Sequence, residues 1–530
     1  MTSPPAAEQG APDGRGLTLR GAAAWLAEPV GLFLLALLLV ALSSGLGALL
    51  GWRVTLPDGS ERAVRPLFGA EGGWWFLSHL VENFTRFPPL GVVVVGMLGI
   101  SLAEQSGLIA ALLRHTLRGV AGLWLGPLVL LVAINSSIAL DAGYVVVPPL
   151  AAALFQAAGR SPLAGLALAH AGVAGGYSAN FALTAVDPLL AGYTEAAAGL
   201  LAPGHRVAPT CNWWFMAAST VWLTVCGVPA LAWLEARLAA RPPAGTIRVG
   251  PAGDAGELPG RVTRAGDPAD PDTRRPREAV ALACALGLLL LLLGLITGAT
   301  LHPEGILAGS GERHARVIEA SVPLLALCFG LPALVYGQIA GSLRGLPAIV
   351  RALEEGLARL APWLLVTFFA AQFVAAFSYT GLGEALAMQA GAWLTAQAVP
   401  VPVLLLGTVF LVMGLDLLIA SASAKYAILA PLLVPALMGA GLSPELAQAA
   451  YRVGDSVTNV ISPLNPYLVI TLGYLRRYAP TGDFALLVRL MLPFVLSFGL
   501  AWPALLLVWA MLGIPLGPGG PIAWAPSVTP

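Results

Sequence analysis

The sequence predicts an all-α integral membrane protein with about nine transmembrane helices and two re-entrant hairpins. Three observations carry that expectation. Of 530 residues, 57% are hydrophobic and 11% charged, against roughly 25% charged in soluble domains, and the mean hydropathy is +0.80. Apolar stretches long enough to cross a hydrocarbon core of ~30 Å, about 20 residues each as helix, recur along the whole chain. Four of those stretches are interrupted by clustered polar residues, where a continuous span facing lipid would have none. The 28 basic and 28 acidic residues cancel, which offers nucleic acid and acidic partners no footing. Cys211, Cys226, Cys284 and Cys328 stand singly, so neither a disulfide scaffold nor a zinc site is expected.

Taken in order, residues 1–25 read as a disordered cytoplasmic tail, since Pro, Gly, Glu and Arg occur without the apolar core of a signal peptide. The first half, 26–236, opens with simple spans near 30–51 and 89–113. Residues 119–158 run apolar, turn polar at Asn135, Ser136, Ser137 and Asp141, then run apolar again. Each arm is too short to cross, which predicts a hairpin with its tip at 135–141. A span at 163–198 is broken by Gly175 to Asn180, with Asp187 and Pro188 just beyond, because paired glycines and proline loosen the helical ladder. A span at 212–235 leads to a Pro/Gly-rich cytoplasmic linker, 237–277. The second half, 278–513, holds simple spans near 278–299, 317–341 and 361–379 and a second hairpin at 399–438 with polar Asp416, Ser421, Ser423 and Lys425. A broken span follows at 444–472, then a last span near 484–513 and a tail, 514–530.

The two interrupted regions repeat each other. Asp-Ala-Gly-Tyr at 141–144 matches Ser-Ala-Lys-Tyr at 423–426, Pro149 matches Pro431, and Ser161-Pro162 matches Ser443-Pro444, all at one offset of 282 residues. After a slip of three residues Asn180 falls on Asn459. Short-loop arginines set the expected orientation. With the N-terminus in the cytoplasm, Arg114, Arg118, Arg160, the linker arginines, Arg344, Arg351, Arg359, Arg476 and Arg477 all lie inside. The first hairpin then enters from the cytoplasm and the second from outside, an inverted repeat of the kind associated with alternating-access transport.

Irregular backbone at membrane depth is tolerated only where protein or a water-filled cavity satisfies it, so four breaks predict one shared polar site. Asn135, Ser136 and Ser137 at one tip, Ser178 and Asn180 at the first break, and Ser421 and Ser423 at the other tip offer neutral oxygens and amides; packing glue between helices is the alternative reading of each serine. Helix N-termini suit a carboxylate and freed carbonyls suit Na⁺. An ionised side chain near the bilayer centre costs roughly 2.5–3.5 kcal/mol, which makes Asp141, Asp187, Asp416, Lys425, Arg452 and Asp455 the sharper candidates, with Thr458, Asn459 and Pro463 in the second break. Arg452 and Asp455, spaced i, i+3, either pair with each other or divide the work. In the second case Arg452 clamps an anionic substrate and Asp455 takes the coupling cation or proton. Lys425 is the only lysine. It is either a survivor of codon bias or a position that needs a compact ammonium. Glu104 reads as a polar seam residue, and His170 as a core histidine or a proton relay. No cofactor and no catalytic residue are expected. Ser137 with His170 sits in no nucleophile motif, and a channel would need a continuous polar pore.

The runs Asn135 to Ala151 (NSSIALDAGYVVVPPLA), Gly175 to Leu190 (GGYSANFALTAVDPLL), Phe368 to Phe377 (FFAAQFVAAF), Ser421 to Leu433 (SASAKYAILAPLL) and Gly454 to Tyr467 (GDSVTNVISPLNPY) resemble the aminobenzoyl-glutamate transporter family, AbgT, across nearly the whole chain. The resemblance implies a homodimeric carrier of the bacterial inner membrane, nine spans and two hairpins with a dimerisation scaffold. It would be driven by protons or Na⁺, by symport or antiport. The implied substrate is p-aminobenzoyl-glutamate, with sulfonamide antimetabolites as exported alternatives; other small carboxylates are the second expectation. Carried over by motif, its functional positions fall on Asp187, Ser423, Tyr426, Pro444, Arg452, Asp455 and Pro463. Two departures are expected to alter the cavity: Tyr426 where the family shows Trp, and Ser378-Tyr379-Thr380-Gly381 where it shows Asn-Trp-Thr-Asn.

Overall fold

The computed structural model describes residues 29–55, 61–117, 122–139, 142–243, 271–302, 304–308, 315–419 and 421–524. The tail expected at 1–25, Asp141 and the middle of the expected linker lie outside the described residues. Helices α1 (Pro29–Leu49), α2 (Ala70–Thr85), α3 (Pro89–Ser106) and α4 (Leu108–Leu117) open the chain. The first hairpin is α5 (Leu125–Asn135), a 3-10 turn at Ser136–Ala139, and α6 (Ala142–Ala157). The first broken span is α7 (Pro162–Gly175) and α8 (Val186–Ala198), followed by α9 (Trp213–Ala240). The second half comprises α10 (Pro271–Leu301), α11 (Ser321–Ala340), α12 (Gly345–Arg359), α13 (Ala361–Thr380) and α14 (Leu382–Ala396). It ends with the hairpin α15 (Val401–Asp416) and α16 (Ala422–Gly439), the broken span α17 (Pro444–Thr458) and α18 (Tyr467–Tyr478), and α19 (Phe484–Met511).

Among the described residues, eight stretches are helical, long and apolar enough to cross a bilayer, and one of them, Ala422–Gly439, is the second arm of hairpin two. Seven straight helices (α1, α3, α9, α10, α11, α13, α19) and two broken spans make nine crossings. The first broken span, α9, α10, α11 and α13 separate the two hairpins. That is an odd number of crossings, so the hairpins enter from opposite faces.

The repeat is visible in the helices themselves. Pro162 and Pro444, both at a first helical position, start α7 and α17 at the same offset, where a missing N–H costs nothing. Both second hairpin arms carry interior prolines, Pro148 and Pro149 in α6, Pro431 and Pro435 in α16. Gly172 and Gly454 are also one repeat apart. A Cβ on Gly172 would meet the Ala133 side chain of α5 at 2.6 Å, and one on Gly454 would meet the Val409 carbonyl of α15 at 2.6 Å. Each broken span uses a glycine to admit the first arm of its own hairpin.

Helices α1, α3, α10, α11, α12 and α13 pack as a scaffold; both hairpins, both broken spans, α9 and α19 form the core, joined to the scaffold through α3 against α8 and α13 against α16. Three ion pairs tie helix ends on one face: Arg114 with Glu278, Arg160 with Glu235 and Arg359 with Glu104. Glu104 is therefore held by an arginine, as a seam residue. The connection 52–88 contains a two-stranded ribbon pairing Arg53–Thr55 with Glu61–Ala63 and the amphipathic α2. Residues 514–524 fold back: Phe215 N donates to the Leu516 carbonyl at 2.9 Å and Ser443 N to the Ile522 carbonyl at 3.0 Å.

Candidate functional site

α17 organises the site. Its N-cap Ser443 accepts from Leu446 N, Pro444 starts the helix, and every residue from Pro444 to Thr458 is buried. The helix is nonetheless polar on one side, so its polar groups must be answered by protein. Arg452 and Asp455 do not pair with each other. They reach in different directions and build two centres.

In the first centre, Arg452 Nη1 donates to Asp187 Oδ1 at 2.7 Å and Nη2 to the Ser178 carbonyl at 2.9 Å. Asp187 sits in the first turn of α8 and also accepts from Thr184 N at 2.6 Å and Thr184 Oγ1 at 2.9 Å. Its carboxylate thus has three donors on the first turn of a helix, where negative charge is favoured. Arg452 Nε has no partner among the described residues.

In the second centre, Lys425 of hairpin two is fully buried and bonds both Asp416, at the end of the other arm, and Asp455 at 2.7 Å. Asp416 accepts from Thr458 Oγ1 at 2.8 Å, and its carbonyl accepts from Ser462 Oγ at 3.1 Å. Tyr451 OH donates to Asp455 Oδ1 at 3.0 Å and lies 2.6 Å from the Ala422 carbonyl. Lys425 is buried between two carboxylates, and removing either partner from a buried pair costs about 3–5 kcal/mol.

The remaining sequence candidates fall around these centres. Ser137 Oγ donates to Asn180 Oδ1 at 2.7 Å and Asn135 Oδ1 accepts from Phe181 N at 3.0 Å, so the first tip is fastened to the first break. Ser136 bonds back to the Ala133 carbonyl. Ser421 caps α16 and meets Ser423 at 3.2 Å. Asn459 donates to the Asp455 carbonyl and accepts from Asn465, and Pro463 lies exposed in the second break. The chain of contacts is continuous: tip one to break one, break one to α17 through Ser178, α17 to tip two through Lys425, tip two to break two through Asp416.

Tyr426 faces elsewhere. Its hydroxyl meets Thr194 Oγ1 at 2.7 Å, its ring lies 4.2 Å from that of Tyr451, and Thr194 donates to Gln448 Oε1 at 2.7 Å. Ser378 to Gly381, expected at the cavity, lies at the 52–88 connection: Tyr379 stacks on Trp75 at 4.1 Å, and Arg65 N donates to the Thr380 carbonyl. Its departure from the family pattern therefore touches the scaffold. His170 is a core histidine, its Nδ1 2.9 Å from Thr471 Oγ1. Thr184, Thr194, Tyr451, Gln448 and Glu445 were not anticipated. The signal for the last two is their spacing from Arg452, four and seven residues back on one helix face.

A cavity of about 1050 Å³ runs between tip one, α10 and α11, lined by Asn135, Phe181, Trp213 and Leu293 among others, with no charged side chain among the described residues that line it. It follows the seam between core and scaffold, and the charged centres do not open into it.

The chain matches the model of the AbgT putative transporter family over residues 20–524. It is 32% identical over 466 residues to the p-aminobenzoyl-glutamate transport protein of Escherichia coli (strain K12), covering 87% of each chain. The fold is similar to the crystal structure of the YdaH transporter of Alcanivorax borkumensis, of unusual topology, with a TM-score of 0.84 and 40% identity over 93% of this chain and 100% of that one. It is also similar to MtrF of Neisseria gonorrhoeae, from a class of antimetabolite efflux pumps, with a TM-score of 0.83 and 37% identity over 94% of this chain and 99% of that one.

Proposed function

The chain belongs to the AbgT putative transporter family, and from that premise we propose that it is an ion-coupled secondary transporter of p-aminobenzoyl-glutamate or a related aromatic, amide-linked dicarboxylate. The observation that carries the reading is the buried charge network on α17, which joins both hairpins and both broken spans through Arg452, Asp187, Lys425, Asp416 and Asp455. Three carboxylates face two cations. The cluster is one negative charge in excess, and burial penalises that excess. A proton or Na⁺ restores neutrality, and a substrate carboxylate that competes for Arg452 displaces Asp187 and shifts the balance again. Ion and substrate are thereby linked through one helix. The hairpins and broken spans move against the scaffold along the apolar seam, in a homodimer of the inner membrane with the N-terminus cytoplasmic.

Similarity to MtrF supports export of antimetabolites such as sulfonamides as a second activity. Other small carboxylates are the second substrate reading, since Tyr426, whose hydroxyl is committed to Thr194, stands where the family shows Trp. The test is substrate flux in proteoliposomes under proton and Na⁺ gradients. Wild type carries flux and Arg452→Ala and Asp455→Ala lose it; unchanged flux in both variants contradicts the assignment.

A further inference from the structure

The polar face of α17 does not stop at the two charge centres. Toward the helix N-terminus it continues from Asp455 and Arg452 through Gln448 to Glu445, spacings of three, four and three residues that keep all four side chains on one face of a helix with 3.6 residues per turn. The whole helix is buried, so this stripe meets no bulk water. Its hydrogen bonding is nevertheless incomplete. Among the described residues, Arg452 Nε and Gln448 Nε2, both donors, and Glu445 Oε2 and the adjacent Asn212 Oδ1, both acceptors, have no partner. Each bare buried group costs about 1–3 kcal/mol, and a water with two or more such partners removes the cost.

Neighbouring groups hold the stripe in place. Asn212 Nδ2 donates to the Glu445 carbonyl at 3.0 Å, and the Cys211 thiol lies 3.8 Å from Gln448 Oε1, which also accepts from Thr194. At the outer end Glu445 Oε1 is 3.0 Å from His205 Nε2. His205 is the group in this set that reaches the surface, its side chain 21% exposed and its ring edge-on to Trp524 at 5.1 Å. The titratable or charged groups around the stripe are His205 and Cys211 on the 199–212 connection, Asp187 on α8, Lys425 and Tyr426 on α16, Asp416 on α15 and Tyr451 on α17. Glu195 is taken up by Arg206, and His170 Nδ1 of α7 lies 2.9 Å from Thr471 Oγ1.

We propose that this stripe is a hydrated proton path, in which ordered waters bridge Glu445 Oε2, Asn212 Oδ1, Gln448 Nε2 and Arg452 Nε, with His205 and Glu445 as its surface port. A metal ion does not fit the same route, because two of the four free groups are N–H donors and one belongs to a guanidinium. Water accepts from both and donates to the two oxygens. A proton taken up at the His205–Glu445 pair passes along the waters and comes to rest on Asp187 once substrate has taken Arg452. The port pair is left ready to be reprotonated, and the proton offsets the negative charge of the substrate carboxylate that has replaced Asp187 on Arg452. This step rests on the transport reading above.

Two measurements on the full-length protein test it. Radiolytic hydroxyl labelling of the wild type in detergent reads internal water and needs no transport. Cys211 and Tyr426, both wholly buried, label well above the equally buried Trp502, and labelling at the Trp502 level overturns the path. In proteoliposomes holding a pH-sensitive dye, His205→Gln and Glu445→Gln cut p-aminobenzoyl-glutamate-coupled proton movement by about tenfold or more. Substrate exchange at equal pH on both sides stays near wild type. Coupled proton movement at the wild-type rate in His205→Gln, a surface change that keeps the fold if Glu445→Gln does not, overturns the port. Failure of wild type to exchange substrate refutes the transport reading instead and leaves the labelling result to decide the path.

Discussion

Lys425 Nζ donates to Asp455 Oδ1 over 2.7 Å, a bond that fastens hairpin two to the broken span beside it. The same ammonium bonds Asp416 at the end of the opposite arm, so one side chain closes the hairpin and docks it. Movement of the hairpin relative to α17 has to break this contact. Lys425→Met leaves two buried carboxylates without their cation and lowers stability by about 3–5 kcal/mol. Adding Asp416→Asn recovers part of that loss by removing one of the stranded charges. Thermal melting of the purified single and double variants in detergent reads both effects.

Arg452 uses its two terminal nitrogens on different partners, Asp187 and the Ser178 carbonyl. Lysine keeps the charge but not the fork. Arg452→Lys therefore retains most of the stability and loses transport, by about tenfold or more in initial rate. Parallel melting and flux measurements separate the two quantities, and equal losses in both would mean that the guanidinium is structural only.

Gly454 and Gly172 admit the first arms of their hairpins one repeat apart. At Gly454 the obstacle is the Val409 backbone carbonyl, which cannot swing aside as a side chain does. Gly454→Ala thus costs about 1–3 kcal/mol in overpacking and pushes α15 away from α17. Gly172→Ala meets mainly the Ala133 and Leu130 side chains and costs less. The order of the two melting temperatures checks the difference.

Tyr426 is fully buried with its hydroxyl on Thr194. Tyr426→Phe removes one hydrogen bond and costs about 1 kcal/mol with transport retained. Tyr426→Trp, the family residue, adds bulk to a closed site and costs about 1–3 kcal/mol more while changing the ranking of substrates. Competition of p-aminobenzoyl-glutamate against other dicarboxylates for uptake measures that ranking.

Hairpins, broken spans and their repeat were legible because lipid leaves no freedom: a polar residue inside an apolar run must mark a break or a cavity. Pro162 and Pro444 even mark the same helix start to the residue. Which charge answers which was not legible. Arg452 and Asp455 are neighbours on one helix, yet their partners, Asp187 and Lys425, come from α8 and α16, and only tertiary packing decides between an i, i+3 pair and two longer-range ones. Glu445 and Gln448 were missed for a related reason: at the start of a span they look like ordinary interfacial polarity, and the complete burial of α17 alone makes them significant. The Ser378 to Gly381 run misled in the opposite sense, since a match to a family motif carries no information about whether it faces the cavity or, as here, Trp75.

Asp455→Asn tests the central claim, that α17 links ion binding to substrate binding through an unbalanced charge. The substitution keeps the shape of the side chain, leaves Lys425 paired with Asp416, and sets the net charge of the buried cluster to zero without any ion. In proteoliposomes, substrate exchange between the two sides should persist in Asp455→Asn while accumulation driven by a proton or Na⁺ gradient disappears. Accumulation to the wild-type level in this variant would contradict the account.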